Sequence, residues 1–292
     1  MTLAPRQGGR RVLRPHAAGP RYQHAPIPVV VSVGPDDQNG GVPTYRDQAV
    51  VLRTHNLGEA DRIITLLCRE HGKVRAVAKG VRRTSSRFGG RLEPFSHIDI
   101  QFAVGHSLDV VTQVESLDAY GGPLATDYQR FTAGEVMIET ADRLVAVEDE
   151  PARQQYWLLV GALRTLARGT VDGPRPATMV LDSYLLRSLA VAGYAPVLTE
   201  CVRCGRKGPH EWFAPSLGGM VCAECRPPGA TRPDPQTWTL LGALLAGDWP
   251  TTRDMPAWVQ RQASGLVAAF VSWHLDHALR SLPLLERADG AS

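Results

Sequence analysis

The chain has 292 residues, 43% hydrophobic and 21% charged, with 32 Lys and Arg against 29 Asp and Glu and a formal net charge of +3. That is enough apolar material for a core divided between two domains, and so mild a charge that an anionic partner can be argued only from where the cations sit. The longest apolar runs, YWLLVGAL and SGLVAAFVSWHL, fall short of the ~20 residues of a membrane-spanning helix, so a soluble protein is expected, and the five cysteines, four of them in two close pairs, suit a reducing cytoplasm.

Residues 1–43 are rich in Arg, Pro and Gly and carry no acid until Asp36. They read as a disordered basic extension, or as a start placed too far upstream. Their Pro and Gly density argues against the amphipathic helix of an organelle transit peptide. Order is expected from near Tyr45, in a domain spanning 44–123. DQAVVLRT and DRIITLLC are strand-like, and KVRAVAK follows after EHG, a glycine-bearing hairpin connection. HIDIQFAV alternates, with Ile98, Ile100, Phe102 and Val104 on one face and Asp99 and Gln101 on the other; LDVVTQVES is a fifth run. Five short strands in so compact a segment predict a small antiparallel barrel or sandwich, and the five-stranded Greek-key barrel called the OB-fold fits the count.

Between the third and fourth strands the charge is uneven. From Lys73 to Arg91 there is no Asp or Glu, yet Lys73, Arg75, Lys79, Arg82, Arg83, Arg87 and Arg91 all fall there. As a strand, KVRAVAK puts Lys73, Arg75 and Lys79 on one face and Val74, Ala76 and Ala78 on the core side. Cation-rich loops are often merely solvated. Here uncompensated cations on one patch repel each other, a cost that a phosphate backbone relieves through contact and counterion release. Phe88, in SRFGGR, is either a stacking surface for a base or a plug for the barrel.

Beyond Pro123 the period changes to that of helices, in a domain spanning 124–285. DYQRFTAGEVMIETADRLVAVED places Phe131, Ile138, Ala141 and Val145 at three- and four-residue steps. ARQQYWLLVGALRTLARG stops at Gly169, and PATMVLDSYLLRSLAVAG runs from Pro176 to Gly193. DPQTWTLLGALLAGDW and PAWVQRQASGLVAAFVSWHLDHALRSL complete the helical set, and 286–292 is a solvated tail.

The helical pattern is interrupted by a segment at 198–228 with the spacing C-x2-C-x17-C-x2-C, formed by Cys201, Cys204, Cys222 and Cys225. Two residues between cysteines let both thiolates of a knuckle face one ion, and two knuckles supply the four sulfurs of a tetrahedral zinc site. Four thiolates close the coordination shell, so the metal is expected to be structural. His210 is read as a loop histidine that could at most displace a cysteine. Four paired cysteines and one stray, Cys68, do not suit a disulfide framework, and Cys68 is read as a small buried apolar group.

KGVRRTSSRFGGRLEPFS, preceded by LGEADRIITLLCREHGKVRAVA and followed later by AGYAPVLTECVRCG and GGMVCAEC, resembles the RecO family of bacterial recombination mediators. The likeness runs from about Tyr45 to the region of Leu285. It implies an α+β multidomain fold: an N-terminal five-stranded OB-fold barrel and a C-terminal all-helical domain with an inserted four-cysteine zinc ribbon. It implies a nucleoid-associated DNA repair protein that binds single- and double-stranded DNA and anneals complementary strands. With RecR, such a protein helps load RecA onto DNA coated by single-strand-binding protein, whose acidic, hydrophobic tail docks on the helical domain. Arg82, Arg83, Arg87 and Arg91 match the family's basic segment and, with Lys73, Arg75 and Lys79, are the expected phosphate contacts. Arg203, Arg206 and Lys207 on the ribbon are a further possibility for DNA contact.

Enzymatic motifs are missing from the sequence: it has no G-x-x-x-x-G-K-[ST], no H-E-x-x-H and no G-x-S-x-G. Acidic pairs such as Glu148 and Glu150 read as solvated charge, and no catalysis is expected.

Overall fold

The computed structural model describes residues 42–275; the basic extension up to residue 41 and the end of the chain from residue 276 lie outside them. Five strands, β1 (Thr44–Leu57), β2 (Asp61–Cys68), β3 (Gly72–Ala78), β4 (Ser96–Ala103) and β5 (Asp109–Ala119), close into a barrel in the order β1-β2-β3-β5-β4. All neighbours are antiparallel except β3 and β5, which meet in parallel at Ala76–Val77 and Asp109–Val110. This is the five-stranded OB-like arrangement anticipated from the strand count.

Closure of so small a barrel needs sharply bent strands, and bulges supply the bends. The pairing skips Leu52 on β1, and Leu117 and Thr112 on β5, where they face the His97–Ile98 and Gln101–Phe102 steps of β4. The interior is filled by alternating residues, among them Ala49, Val51, Ile64, Leu66, Val74, Ala76, Ile98, Ile100 and Phe102. Cys68 belongs to this core, and burial pushes its thiol well up from its ordinary value. Val104, expected on the same face as Phe102, lies past the end of β4 and is half exposed; its N–H donates to the Pro43 carbonyl, the last step of the β1–β4 register.

The helical region comprises α1 (Gly121–Ala125), α2 (Tyr128–Leu144), α3 (Arg153–Arg168), α4 (Ala177–Val191), α5 (Pro235–Ala246) and α6 (Ala257–His274). Asp127 caps α2 by accepting from the Arg130 N–H, and Asp234 caps α5 from the Gln236 N–H with Pro235 at the first helical position. Gly169 and Gly247, at positive φ, end α3 and α5. α4 is apolar nearly all round and runs through the middle of the bundle, packed by α2, α3, α5 and α6. A two-stranded ribbon, β6 (Trp212–Ala214) with β7 (Gly219–Val221), is inserted between α4 and α5.

The barrel and the helices form one compact unit. Val50, Leu52, Leu67 and Phe95 turn outward from the barrel into the core that α2, α3 and α4 build. Phe95 sits at φ 68°, with its ring against Gly134 of α2 and edge-on to Phe131. A polar seam runs beside this contact. The His97 ring is 2.7 Å from the Tyr156 hydroxyl, and burial lowers the imidazole's pKa. Near the end of the connection from α2 to α3, Gly72 has no room for a side chain: a Cβ there would come within 1.8 Å of the Glu150 carbonyl oxygen.

Candidate nucleic-acid interface and metal centre

The cations singled out between residues 73 and 91 separate into two groups. Lys73 is only 9% exposed, and its Nζ donates to the Asp142 carbonyl at 2.6 Å and to Asp142 Oδ1 at 3.1 Å. It therefore cannot serve as a free phosphate contact in this arrangement. The strand alternation put it correctly on the outer face of β3, but α2 covers that face. Arg75 stays exposed with Nη1 3.8 Å from Glu148 Oε1. Glu148, read from sequence as solvated charge, thus balances a barrel cation, and the neighbouring Asp149 N–H donates to the Lys73 carbonyl.

Lys79, Arg82, Arg83, Arg87 and Arg91 are different. All five are exposed, and among the described residues none has a carboxylate ion-pair partner. Their contacts are to neutral groups. Arg82 Nη1 donates to the Gly58 carbonyl at 3.1 Å, Arg91 Nη1 to the Arg87 and Phe88 carbonyls at 3.3 Å, and the Arg87 guanidinium lies 4.9 Å from the Phe88 ring centre. Two acids near the loop have other partners: Asp61 accepts from the backbone N–H of Gly80, and Glu93 pairs with Arg62 at 2.7 Å. Most other cations of the barrel are matched, Arg46 with Asp99 and Arg53 with Asp142. The acid-free loop is therefore a concentration of unbalanced positive charge on an otherwise balanced surface. Phe88 is 2% exposed and belongs to the barrel core with Val81 and Leu92. It is the plug, and its ring is not open to stacking by a base.

The four cysteines converge as their spacing requires. The Sγ atoms of Cys201, Cys204, Cys222 and Cys225 all lie within 4.8 Å of one another, with Cys204 and Cys222 at 4.0 Å. Zinc–sulfur bonds of ~2.3 Å in a tetrahedron place sulfurs about 3.8 Å apart, so the cluster fits a four-thiolate metal site. Gly205, at φ 73°, makes the turn that follows the first knuckle. Burial opposes ionisation of Cys201, but hydrogen bonds from the backbone of Cys222, Cys204 and Arg203 outweigh it and draw the thiol down to about 6. Hydrogen bonding to Cys222 pushes Cys225 up to about 12. A bound cation would favour the thiolate form of these sulfurs. His210 is no ligand: its Nε2 is 2.8 Å from the Arg206 carbonyl and its N–H faces the Met220 sulfur. The ribbon's own cations are largely spent, Arg206 on Glu224 at 2.8 Å and Lys207 on Glu200, which leaves Arg203 exposed.

One surface feature was not found from the sequence. A groove of about 690 Å³ runs along α3 and α4, with Trp157, Leu158, Val191 and Trp249 as apolar lining and Arg153 and Arg187 among its polar residues. The signal was present in Trp157, an aromatic on the otherwise polar face of α3 that is 49% exposed.

A closed barrel with a cationic loop is joined to a helical bundle that carries a four-cysteine ribbon, and among the described residues no helix is long and apolar enough to cross a bilayer. The family description "Recombination protein O N terminal" matches residues 42–120, and "Recombination protein O C terminal" matches residues 125–283. The chain is 65% identical over 247 residues to the DNA repair protein RecO of Cutibacterium acnes, covering 84% of this chain and 100% of that one. It is 58% identical over 246 residues to the protein of that name from a Nocardioides species (83% and 99% covered), and 59% identical over 244 residues to that of Thermobifida fusca (84% and 99%). The chain belongs to the RecO family of DNA repair proteins.

Proposed function

We propose that the protein is a recombination mediator that binds single- and double-stranded DNA through the exposed loop of Lys79, Arg82, Arg83, Arg87 and Arg91 and anneals complementary strands without bond chemistry. The observation that carries this reading is the set of five exposed cations without carboxylate partners. Two DNA strands repel through their phosphates. A cationic surface that holds both lowers that repulsion while leaving base edges free to pair. Arg75, partly balanced by Glu148, lies at the margin of the surface and Lys73 outside it.

The ion is zinc, held by Cys201, Cys204, Cys222 and Cys225, with four thiolates leaving no open position for substrate. Its work is to fold a ribbon whose own buried apolar cluster is small. In the cell the protein acts in the cytoplasm at the nucleoid and works with RecR to load RecA where single-strand-binding protein covers the DNA. Docking of that protein's acidic, hydrophobic tail is supported by the groove on α3 and α4, where apolar Trp157 and Trp249 lie near the cationic Arg153 and Arg187.

The test is fluorescence anisotropy of a labelled oligonucleotide over a range of salt concentrations. Five phosphate contacts to a single strand give a slope of log K against log salt of about −3.5. Replacing Arg82, Arg83, Arg87 and Arg91 with Ala should remove about 2.8 of it and slow annealing. An unchanged slope rules this loop out as the DNA site.

A further inference from the structure

The cationic loop has an internal order that its charges alone do not require. Its cations alternate with three apolar residues whose side chains enter the barrel: Val81 precedes Arg82 and Arg83, Phe88 follows Arg87, and Leu92 follows Arg91. Val81 is 9% exposed, Phe88 2% and Leu92 1%. Along these anchors the backbone makes a succession of tight turns in which five N–H groups donate three residues back: Arg83 to Gly80, Ser86 to Arg83, Gly89 to Ser86, Arg91 to Phe88 and Glu93 to Gly90. The start of the loop is tied to the β1–β2 turn by the Arg82 N–H on the Ala60 carbonyl at 3.0 Å, and its end to β2 by Glu93 on Arg62.

Phe88 is the central anchor. The Ser86 hydroxyl accepts from its N–H at 3.3 Å, Arg87 lies over its ring, and its carbonyl accepts from both the backbone and the side chain of Arg91. Gly89, at φ 54° with open space around it, then lets the chain leave the barrel immediately after the ring has entered. One buried side chain thus sets the place of two guanidinium groups.

Building on the DNA-binding reading above, we infer that Phe88 is the positioning residue of the phosphate-binding surface. Its insertion into the barrel holds Arg87 and Arg91 at a fixed spacing, so that the cost of ordering long side chains and a loop on a strand is met before DNA arrives. The residue touches no nucleotide. Its contribution is preorganisation, which requires apolar volume inside the barrel and not an aromatic face.

The experiment compares the full-length protein with Phe88→Ala, Phe88→Leu and Val81→Ala, each checked for folding by circular dichroism and metal content, in the same oligonucleotide titration over salt. Phe88→Ala keeps every cation, yet is expected to bind at least about ten-fold more weakly with a salt slope shallower by at least about one. Phe88→Leu should restore binding to within about two-fold of the wild type, because leucine also fills the barrel. Wild-type affinity and slope in a folded Phe88→Ala protein overturn the inference. So do equal losses in the leucine and alanine variants, which would mean that the ring itself is read. If Phe88→Ala does not fold, Val81→Ala decides: a weakened affinity and shallower slope support the inference, and wild-type values overturn it. The four-arginine variant separates the two levels. If it loses binding while Phe88→Ala does not, only the positioning role fails; if it binds with the wild-type slope, the DNA-binding reading itself fails.

Discussion

Replacing Lys73 with alanine distinguishes a structural cation from a DNA-binding one within a single acid-free stretch. The ammonium group bridges the Asp142 carbonyl, one of the four unpaired carbonyls at the end of α2, and the same residue's carboxylate. The two side chains are 11% and 16% exposed, so solvent screens the pair weakly. Removing one partner of a buried ion pair costs about 3–5 kcal/mol, and orphaning a buried carbonyl about 1–3 kcal/mol. Arg53 stays 3.4 Å from the Asp142 carboxylate and relieves part of that cost. A loss of about 2–3 kcal/mol follows. In a chain of this size that lowers the melting temperature by roughly 4–12 °C. The oligonucleotide salt slope should not change, because the amine is held by Asp142. Thermal melting and anisotropy on the same preparation supply both numbers. A slope that falls by about one with an unaltered melting temperature would falsify the assignment and return Lys73 to the DNA surface.

Chelation of the metal, or Cys225→Ala, should release one zinc per chain and unfold the ribbon; elemental analysis and limited proteolysis between Thr199 and Thr231 report this, and an intact, metal-free ribbon would contradict it. His71 sits with Nδ1 2.7 Å from Asp47, and hydrogen bonding to that carboxylate raises the imidazole's pKa despite burial. A group protonated more readily in the folded state contributes its full stability below the unfolded value near 6.5 and loses it as pH rises through the higher folded value. Wild-type melting should therefore decline over that window relative to His71→Asn; parallel curves refute the coupling. Incubation with labelled DNA and Mg²⁺ should yield no cleavage products, and time-dependent fragments that follow the protein peak through purification would overturn the non-enzymatic reading.

Alternation and helix punctuation carried most of the architecture, because strand faces and capped helices obey local rules. The five strand-like runs became the barrel, and Pro176, Gly169 and Gly193 marked real helix limits. The bulges at Leu52, Thr112 and Leu117 left no mark in the pattern, since they answer to barrel closure, a property of all five strands together. Lys73 shows the sharper limit. Its side of the strand was legible, but which outward face is solvent and which is covered depends on Asp142, 69 residues away. The ribbon is similar: Cys201 to Cys225 announced themselves by spacing, while the pairing of Arg206 with Glu224 arises only once the knuckles meet. Phe88 had two readings in sequence, and its burial in the barrel core beside Val81 and Leu92 decided between them.

The four outward-turned barrel residues Val50, Leu52, Leu67 and Phe95 have a practical bearing on how this molecule can be dissected. Cutting the chain near Tyr120 would strip both fragments of a shared greasy face and leave the edge of β3 bare where Glu148 now lies beside Lys73. Such pieces invite sticking and misfolding, and a fragment that binds oligonucleotides weakly, or too well, says little about the parent. Point substitutions in the uncut polypeptide are the sound way to assign work to either half.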